Sequence, residues 1–225
     1  DEITSINYGA FKDCENLKSV HIGAGVSGMG SGIFRGCESL ESITVDEENS
    51  NYKSIDGNLY SKDGKTLIQY AIGKTETSFV IPDSVTSIGY GAFNDCRRLT
   101  SVTISNSVTS IGREAFNGCR GLTSITNYAN TPQKIESSVF QNIDKSKCVL
   151  YVPKASVNIY KSADVWKEFT NILPIGAQPV DVTTTTVTAS ETTADIAWSK
   201  VNGAASYELV IKDKNYQGKT GDKVI

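Results

Sequence analysis

Apolar and hydroxyl residues alternate through LTSVTI (99–104), so Val102 and Ile104 face one side of an extended segment while Ser101 and Thr103 face the other. Val108 and Ile111 begin a second extended run, and Gly112 marks a bend. In AFNDC (92–96) the apolar Phe93 and Cys96 stand three apart, a spacing that suits one helical turn. The pattern predicts a unit of strand, turn, short strand and helical turn. Its inward set is Ala92, Phe93, Cys96, Leu99, Val102, Ile104, Val108 and Ile111. Directly after Gly112 the unit starts again, in AFNGCRGLTSIT (115–126). Phe116, Cys119, Leu122 and Ile125 follow Phe93, Cys96, Leu99 and Val102 at an interval of 23 residues. A fixed period of this size marks one supersecondary unit stacked many times. Stacking is also required, because a single coil cannot cover its own apolar face.

The same phase runs through SINYGAFKDCENLKSVHI (5–22) and IFRGCESLESITV (33–45), with Met29 at the place of Ile88 and Ile111. Over 46–81 the rhythm breaks for one longer unit, in which Asp63-Gly64 signals a hairpin with a tight type I′ turn. Regular units resume at 78–93 and continue through Ile125. A looser copy ends at CVLYVP (148–153), with Phe140 standing 24 residues after Phe116. Beyond it, Val157, Tyr160, Ala163, Trp166 and Phe169 are each three apart, which predicts a helical cap over 153–173 covering the end of the stack. The competing reading is an aromatic binding patch centred on Trp166. Pro174, Gly176 and Pro179 mark a linker, and strand-type alternation follows in VTTTTVTASETTADIAWS (182–199) and SYELVIKDK (206–214).

With 225 residues, 39% apolar and 21% charged at a net charge of −3, the chain suits a globular protein of one large or two smaller domains. It has no basic cluster that would suit nucleic acid and no apolar run of the roughly 18 residues that would insert in a membrane. It opens DEITSIN without an initiator Met and is read as a trimmed form, whose missing targeting segment says nothing about location. Cys14, Cys37, Cys96 and Cys119 share one repeat position, and Cys148 lies outside that phase. They read as buried structural thiols, small hydrophobes at a tight interior site. C-x-x-C spacing is absent and His21 is the sole histidine, which argues against zinc. Equivalent cysteines in adjacent coils come near disulfide range, so pairing of Cys14 with Cys37 and of Cys96 with Cys119 stays open.

SVTSIGYGAFNDCRRLTSVTI (84–104) resembles the repeat of the BspA-type leucine-rich-repeat family, IPDSVTSIGYGAF (81–93) carries the proline of its turn, and IDGNLYSKDGKTLI (55–68) resembles a variant unit of that family. The resemblance covers roughly residues 1–153. It implies a right-handed, curved solenoid on bacterial surfaces, linked to adhesion to host or partner-cell macromolecules, with no catalytic residues and no cofactor. ADIAWSKVNGAASYELVIK (194–212) resembles the B and C strands of a fibronectin type III domain, with Trp198 and Tyr207 at the anchoring places. Such a sandwich needs about 100 residues, and 47 follow Gln178. The expected architecture is therefore a β-rich α/β chain: solenoid and cap over 1–176, then a partial sandwich over 177–225 that leans on a partner, another copy included, or is poorly ordered.

For function, the outward positions of the main strands remain. They are Ser19 and His21, Ser42 and Thr44, Gln69 and Ala71, Ser78 and Val80, Ser101 and Thr103, Ser124 and Thr126, and Val149 and Tyr151. Seven rungs would make a face about 30 Å long, rich in short hydroxyls and suited to an extracellular protein or polysaccharide. Serine and threonine also simply suit an exposed strand. His21 lacks a nucleophile or an orienting acid, and Asp46-Glu47-Glu48 fails the EF-hand pattern at Asn51. No metal site, cofactor or enzyme activity is expected. The functional expectation is a surface or secreted adhesion module, with a structural spacer that displays other domains as the alternative.

Overall fold

The computed structural model describes residues 3–177, 186–189 and 194–197. The chain divides into two units, Asp1–Ile175 and Gly176–Ile225. In the second, Thr186–Ala189 pairs antiparallel with Ala194–Ala197. The fibronectin-like reading of 177–225, with Trp198 and Tyr207, otherwise lies outside the described residues.

The first unit is a β-solenoid of about seven turns. Its longer strands form parallel ladders in which partners stand one repeat apart, as Ser101 with Ser124 and Val102 with Ile125. Ser78–Val80, Ser101–Ile104, Ser124–Asn127, Val149–Val152 and Asn171–Pro174 make one five-stranded sheet, and Ser19–Ile22 with Ser42–Val45 a separate pair. The short strands form further ladders: Ser5–Ile6 with Gly28–Met29, and Thr66–Gln69, Ser87–Ile88 and Ser110–Ile111 in series.

All eight inward positions of the repeat are buried, none more than 6% exposed. The phenylalanines stack from coil to coil: Phe93 lies 4.9 Å from Phe116 at an interplanar angle of 12°, and Phe116 lies 5.6 Å from Phe140. The helical turn of the repeat is a run of i→i+3 bonds, such as Cys96 N–H to Phe93 O at 3.1 Å. It is closed by a residue with positive φ, at Asp13, Gly36, Asp95 and Gly118, each before a repeat cysteine, and at Asn142 before Ile143. Glycine and short polar residues tolerate that region best, which explains why the position before the cysteine is always one of these.

The five cysteines are free thiols; Cys14 is exposed and the other four are buried. The expectation of uniform burial is thus corrected at Cys14. The shared position has a polar reason as well as a steric one, since Cys119 Sγ donates to Phe93 O at 2.9 Å and Cys37 Sγ to Phe11 O at 3.0 Å, each in the preceding coil. Burial pushes the Cys96 thiol well up, and pushes Cys148 to about 12 with Asp144 adding to it. Because its folded value is raised, the stability Cys148 contributes is whole below the ordinary thiol value of 9.0 and is lost as pH rises from there towards about 12. Thiol labelling of the native protein should reach the exposed Cys14 first and leave the other four slow until the protein unfolds. Rapid native labelling of more than one thiol would overturn this.

The longer unit departs from the rhythm for a definable reason. Tyr52–Ile55, Asn58–Ser61 and Thr66–Gln69 form an antiparallel meander. The hairpin expected at Asp63-Gly64 is formed, joining Asn58–Ser61 to Thr66–Gln69, but the type I′ geometry falls at Asp56-Gly57, where both residues have positive φ (49° and 71°). At the later site Gly64 alone does, at 75°. There Asp63 Oδ1 accepts from Ser61 Oγ at 2.6 Å and from Lys65 N–H at 2.9 Å, closing a wider loop beside a register shift. The Asp56-Gly57 turn meets the first ladder end-on, with Ile43 N–H donating to Gly57 O at 2.8 Å. It thereby stands where the next rung would be.

Over 153–173 the helical spacing is realised in short pieces. A six-residue helix, Val157–Ser162, lies between short 3-10 turns at Lys154–Ser156 and Trp166–Glu168. Val165 takes φ 66° and breaks the run. A spacing of three fits tight turns and drifts off the face of a 3.6-residue helix. Trp166 is fully buried between Phe140 and Tyr160, and its Nε1–H donates to Gln133 O at 2.8 Å. It is therefore not a surface binding patch.

Candidate binding surfaces

The outward residues of the five-stranded sheet stand in two rows. Ser78, Ser101, Ser124, Val149 and Asn171 align in one; Val80, Thr103, Thr126, Tyr151 and Leu173 align in the other. Five strands at about 4.8 Å span roughly 19 Å from first to last. Ser19, His21, Ser42 and Thr44 belong to the separate pair. There His21 Nδ1 lies 3.0 Å from Thr44 Oγ1, which donates to Val20 O.

Gln69 and Ala71 do not join this face. Gln69 is 8% exposed, its strand belongs to the other ladder, and its Nε2 donates to Tyr70 O and Ala92 O. Ala71 is buried. The expected seven-rung face is therefore five rungs and two, separated by the inserted meander. The strand Asn171–Pro174 supplies a rung that sequence reading missed, because a three-residue apolar spacing masks the alternation in NILP.

The hydroxyls of the unit divide into two sets. Thr100 Oγ1 donates to Thr77 O at 2.9 Å, and Thr123 Oγ1 to Thr100 O at 3.1 Å, so the threonine preceding each strand ties one coil to the last. One residue on, Ser101 and Ser124 point outward, half-buried in the shallow face together with Thr103 and Thr126. That face is not uniformly polar. At its C-terminal end Val149, Tyr151 and Leu173 replace hydroxyls, and burial pushes the Tyr151 phenol up.

The acidic run does not gather a metal set: Asp46 Oδ1 caps the Glu48 N–H at 2.9 Å, while Glu47 and Glu48 are exposed. Among the described residues no group of three or more His, Cys, Asp or Glu side chains is placed to hold a metal ion. No helix among them is long and apolar enough to cross a membrane.

A second concavity lies at the break in the repeat. A cavity of about 230 Å³ runs between Met29–Phe34 on one wall and Ile68–Gln69 with Gly89–Tyr90 on the other. It adjoins a narrow niche lined by Tyr8, Arg35, Gln69, Tyr90, Asn94 and Glu114. Nothing in the local sequence flags these residues, since they come together from five different coils.

Residues 1–71 and 67–163 match six copies of the BspA type leucine rich repeat region. A leucine rich cell surface protein from Faecalibacterium prausnitzii is 25% identical with a TM-score of 0.52, over 78% of this chain and 52% of that one. The pneumococcal vaccine antigen PcpA is 20% identical (TM-score 0.45; 79% and 60% covered), and a leucine-rich repeat protein from Eubacterium ventriosum 23% (0.47; 71% and 49%). The chain thus spans between about half and three-fifths of the length of these solved structures. No curated protein matches it.

Proposed function

Because the chain belongs to the BspA-type leucine-rich repeat family, a family of bacterial surface proteins, we propose that it is a non-catalytic recognition module, displayed at a cell surface or secreted, that binds an extracellular protein or polysaccharide. The similarity to a solved leucine rich cell surface protein supports that location. The observation that carries the reading is the in-register outward face of the five-stranded sheet, where Ser101, Thr103, Ser124 and Thr126 offer hydroxyls beside the apolar end formed by Val149, Tyr151 and Leu173. Hydroxyls give many weak, directional contacts, and an aromatic end gives one anchor. An extended polymer lying across the strands meets both. Residues 153–173 serve the scaffold by covering its last coil with Tyr160, Trp166 and Phe169.

The test is a screen of the full chain against extracellular-matrix proteins and polysaccharides. Replacing Ser101 and Thr103 together by phenylalanine should weaken the captured ligand at least about tenfold, and Tyr151→Ala by a similar factor, with the unfolding midpoint little changed because all three face outward. Binding that survives both changes, or no binding to any member of the screen, would overturn the proposal.

A further inference from the structure

The notch at the break in the repeat has the chemistry of a site. In regular coils the amides of each helical turn donate to the next coil: Gly91, Phe93 and Asp95 to the carbonyls of Arg113, Ala115 and Asn117. Gly9, Phe11 and Asp13 do the same to Ser31, Ile33 and Arg35. The equivalent amides of the second coil, Gly32, Phe34 and Gly36, have no carbonyl opposite them among the described residues, because the long unit passes through Tyr70 and Ala71 without a helical turn. The missing turn opens the notch. Asn94, 6% exposed, lines the small niche beside the cavity, of about 10 Å³, and its buried Oδ1 has no partner among the described residues. Buried polar atoms are nearly always paired, so an orphan acceptor in the wall of so small a niche points to a single hydroxyl-sized group entering it.

The surrounding groups narrow what enters. Arg35 and Glu114, 79 residues apart, pair across the niche at 3.5 Å, so it holds no surplus charge. Tyr8 and Tyr90 are the exposed aromatics at its mouth, 69% and 37% exposed. Tyr8 reaches over Gly32, where an added Cβ would lie 3.9 Å from its ring. Phe34, Leu59 and Ile68 floor the adjoining cavity, whose volume of about 230 Å³ falls below the roughly 300 to 1,000 Å³ of sites for larger ligands. Glu114 itself sits at φ 56°, where Gly9, Gly32 and Gly91 stand in the sister coils. A side chain kept in a conformation that favours glycine argues for a use of that side chain.

We infer that this notch is a binding site for a neutral sugar ring, such as one residue of a surface polysaccharide. A pyranose presents a flat C–H face that stacks on an aromatic ring and a rim of hydroxyls that each donate and accept. The ring lies in the wider cavity against Tyr90 with Tyr8 at the mouth, one of its hydroxyls reaches the niche of Arg35, Asn94 and Glu114, whose volume of about 10 Å³ admits a single such group, and the free backbone amides donate to others. The site is separate from the outward sheet face and stands or falls without it.

The experiment is saturation-transfer NMR on the full chain with glucose, galactose, mannose and N-acetylglucosamine offered singly. At least one should bind with a dissociation constant on the order of millimolar, as befits a single ring. Tyr8→Ala and Tyr90→Ala, at exposed positions, should each weaken it at least about tenfold. Glu114→Gly should do the same while leaving the thermal midpoint unchanged or raised, because glycine accepts the positive φ; a purely structural Glu114 would lower the midpoint instead. The paired Ser101 and Thr103 replacement should leave sugar binding intact, which separates this site from the sheet face. No transfer to any of the four sugars, or transfer that survives Tyr90→Ala and Glu114→Gly, would overturn the inference. So would displacement of the sugar by an unstructured peptide that binds the same residues more tightly.

Discussion

Phe93→Ala is expected to destabilise the solenoid by about 3–5 kcal/mol, the range for emptying a buried aromatic site. Phe93 is fully buried and its ring is held on every side: Phe116 at 4.9 Å, Tyr70 at 5.3 Å and Phe79 at 5.7 Å. Tyr70 belongs to the irregular coil and Phe116 to the next regular one, so Phe93 joins the inserted unit to the array that follows. A solenoid coil cannot close over the hole by moving sideways, because its backbone amides are bonded to the coils before and after it. Urea denaturation followed by circular dichroism measures the loss. A cost below about 1 kcal/mol would mean that the coils collapse into the cavity and that the stack is looser than its ladders imply.

Asn49→Ala should cost a similar amount by a different route. Asn49 is fully buried at the start of the inserted meander. Its Nδ2 donates to Gly23 O at 2.8 Å and to Val26 O at 2.9 Å, and its Oδ1 accepts from Asn51 N–H at 2.9 Å and Tyr52 N–H at 2.8 Å. Alanine leaves four backbone groups without their partner. At about 1 kcal/mol for each bond, the loss is roughly 4 kcal/mol. Asn49→Asp keeps the acceptor for Asn51 and Tyr52 and removes the donors to Gly23 and Val26, so it should cost more per bond lost, because it also buries a charge. Denaturation midpoints rank the two variants, and hydrogen exchange at the Asn51 and Tyr52 amides should quicken in the alanine variant. Unchanged exchange there would show that the meander is held by its own strands and not by this side chain.

These two residues differ in how far the sequence revealed them. Phe93 announces itself, because Phe116 repeats it after one period and both precede a cysteine by three. Asn49 stands in no repeat; its importance comes from Gly23 and Val26, which lie in a preceding coil. The same contrast holds for the candidate surfaces. Ser101, Thr103, Ser124 and Thr126 were legible as an outward face from alternation alone, and they lie in register as expected. Gln69 was not legible, since TLIQ alternates equally well in either ladder. Two Asp-Gly pairs turn the meander, and which of them takes the type I′ geometry depends on strand pairing that neither pair encodes locally.

Period and alternation by themselves determined the coil: its inward residues, its stacking, its cysteine position and its parallel register. They could do so because each of those features is decided within about one repeat, by which side of an extended segment or tight turn a residue occupies. Only the tertiary structure decided what happens where the period fails. The Asp56-Gly57 turn takes a rung of one ladder, Gln69 is drawn into the other, and the absent helical turn leaves Arg35 to meet Glu114 across 79 residues with Asn94 unpartnered beside them. The last of these contacts joins coils that are not neighbours in the repeat. All of them are set by the three-dimensional path of one irregular unit, for which no spacing along the chain is a guide.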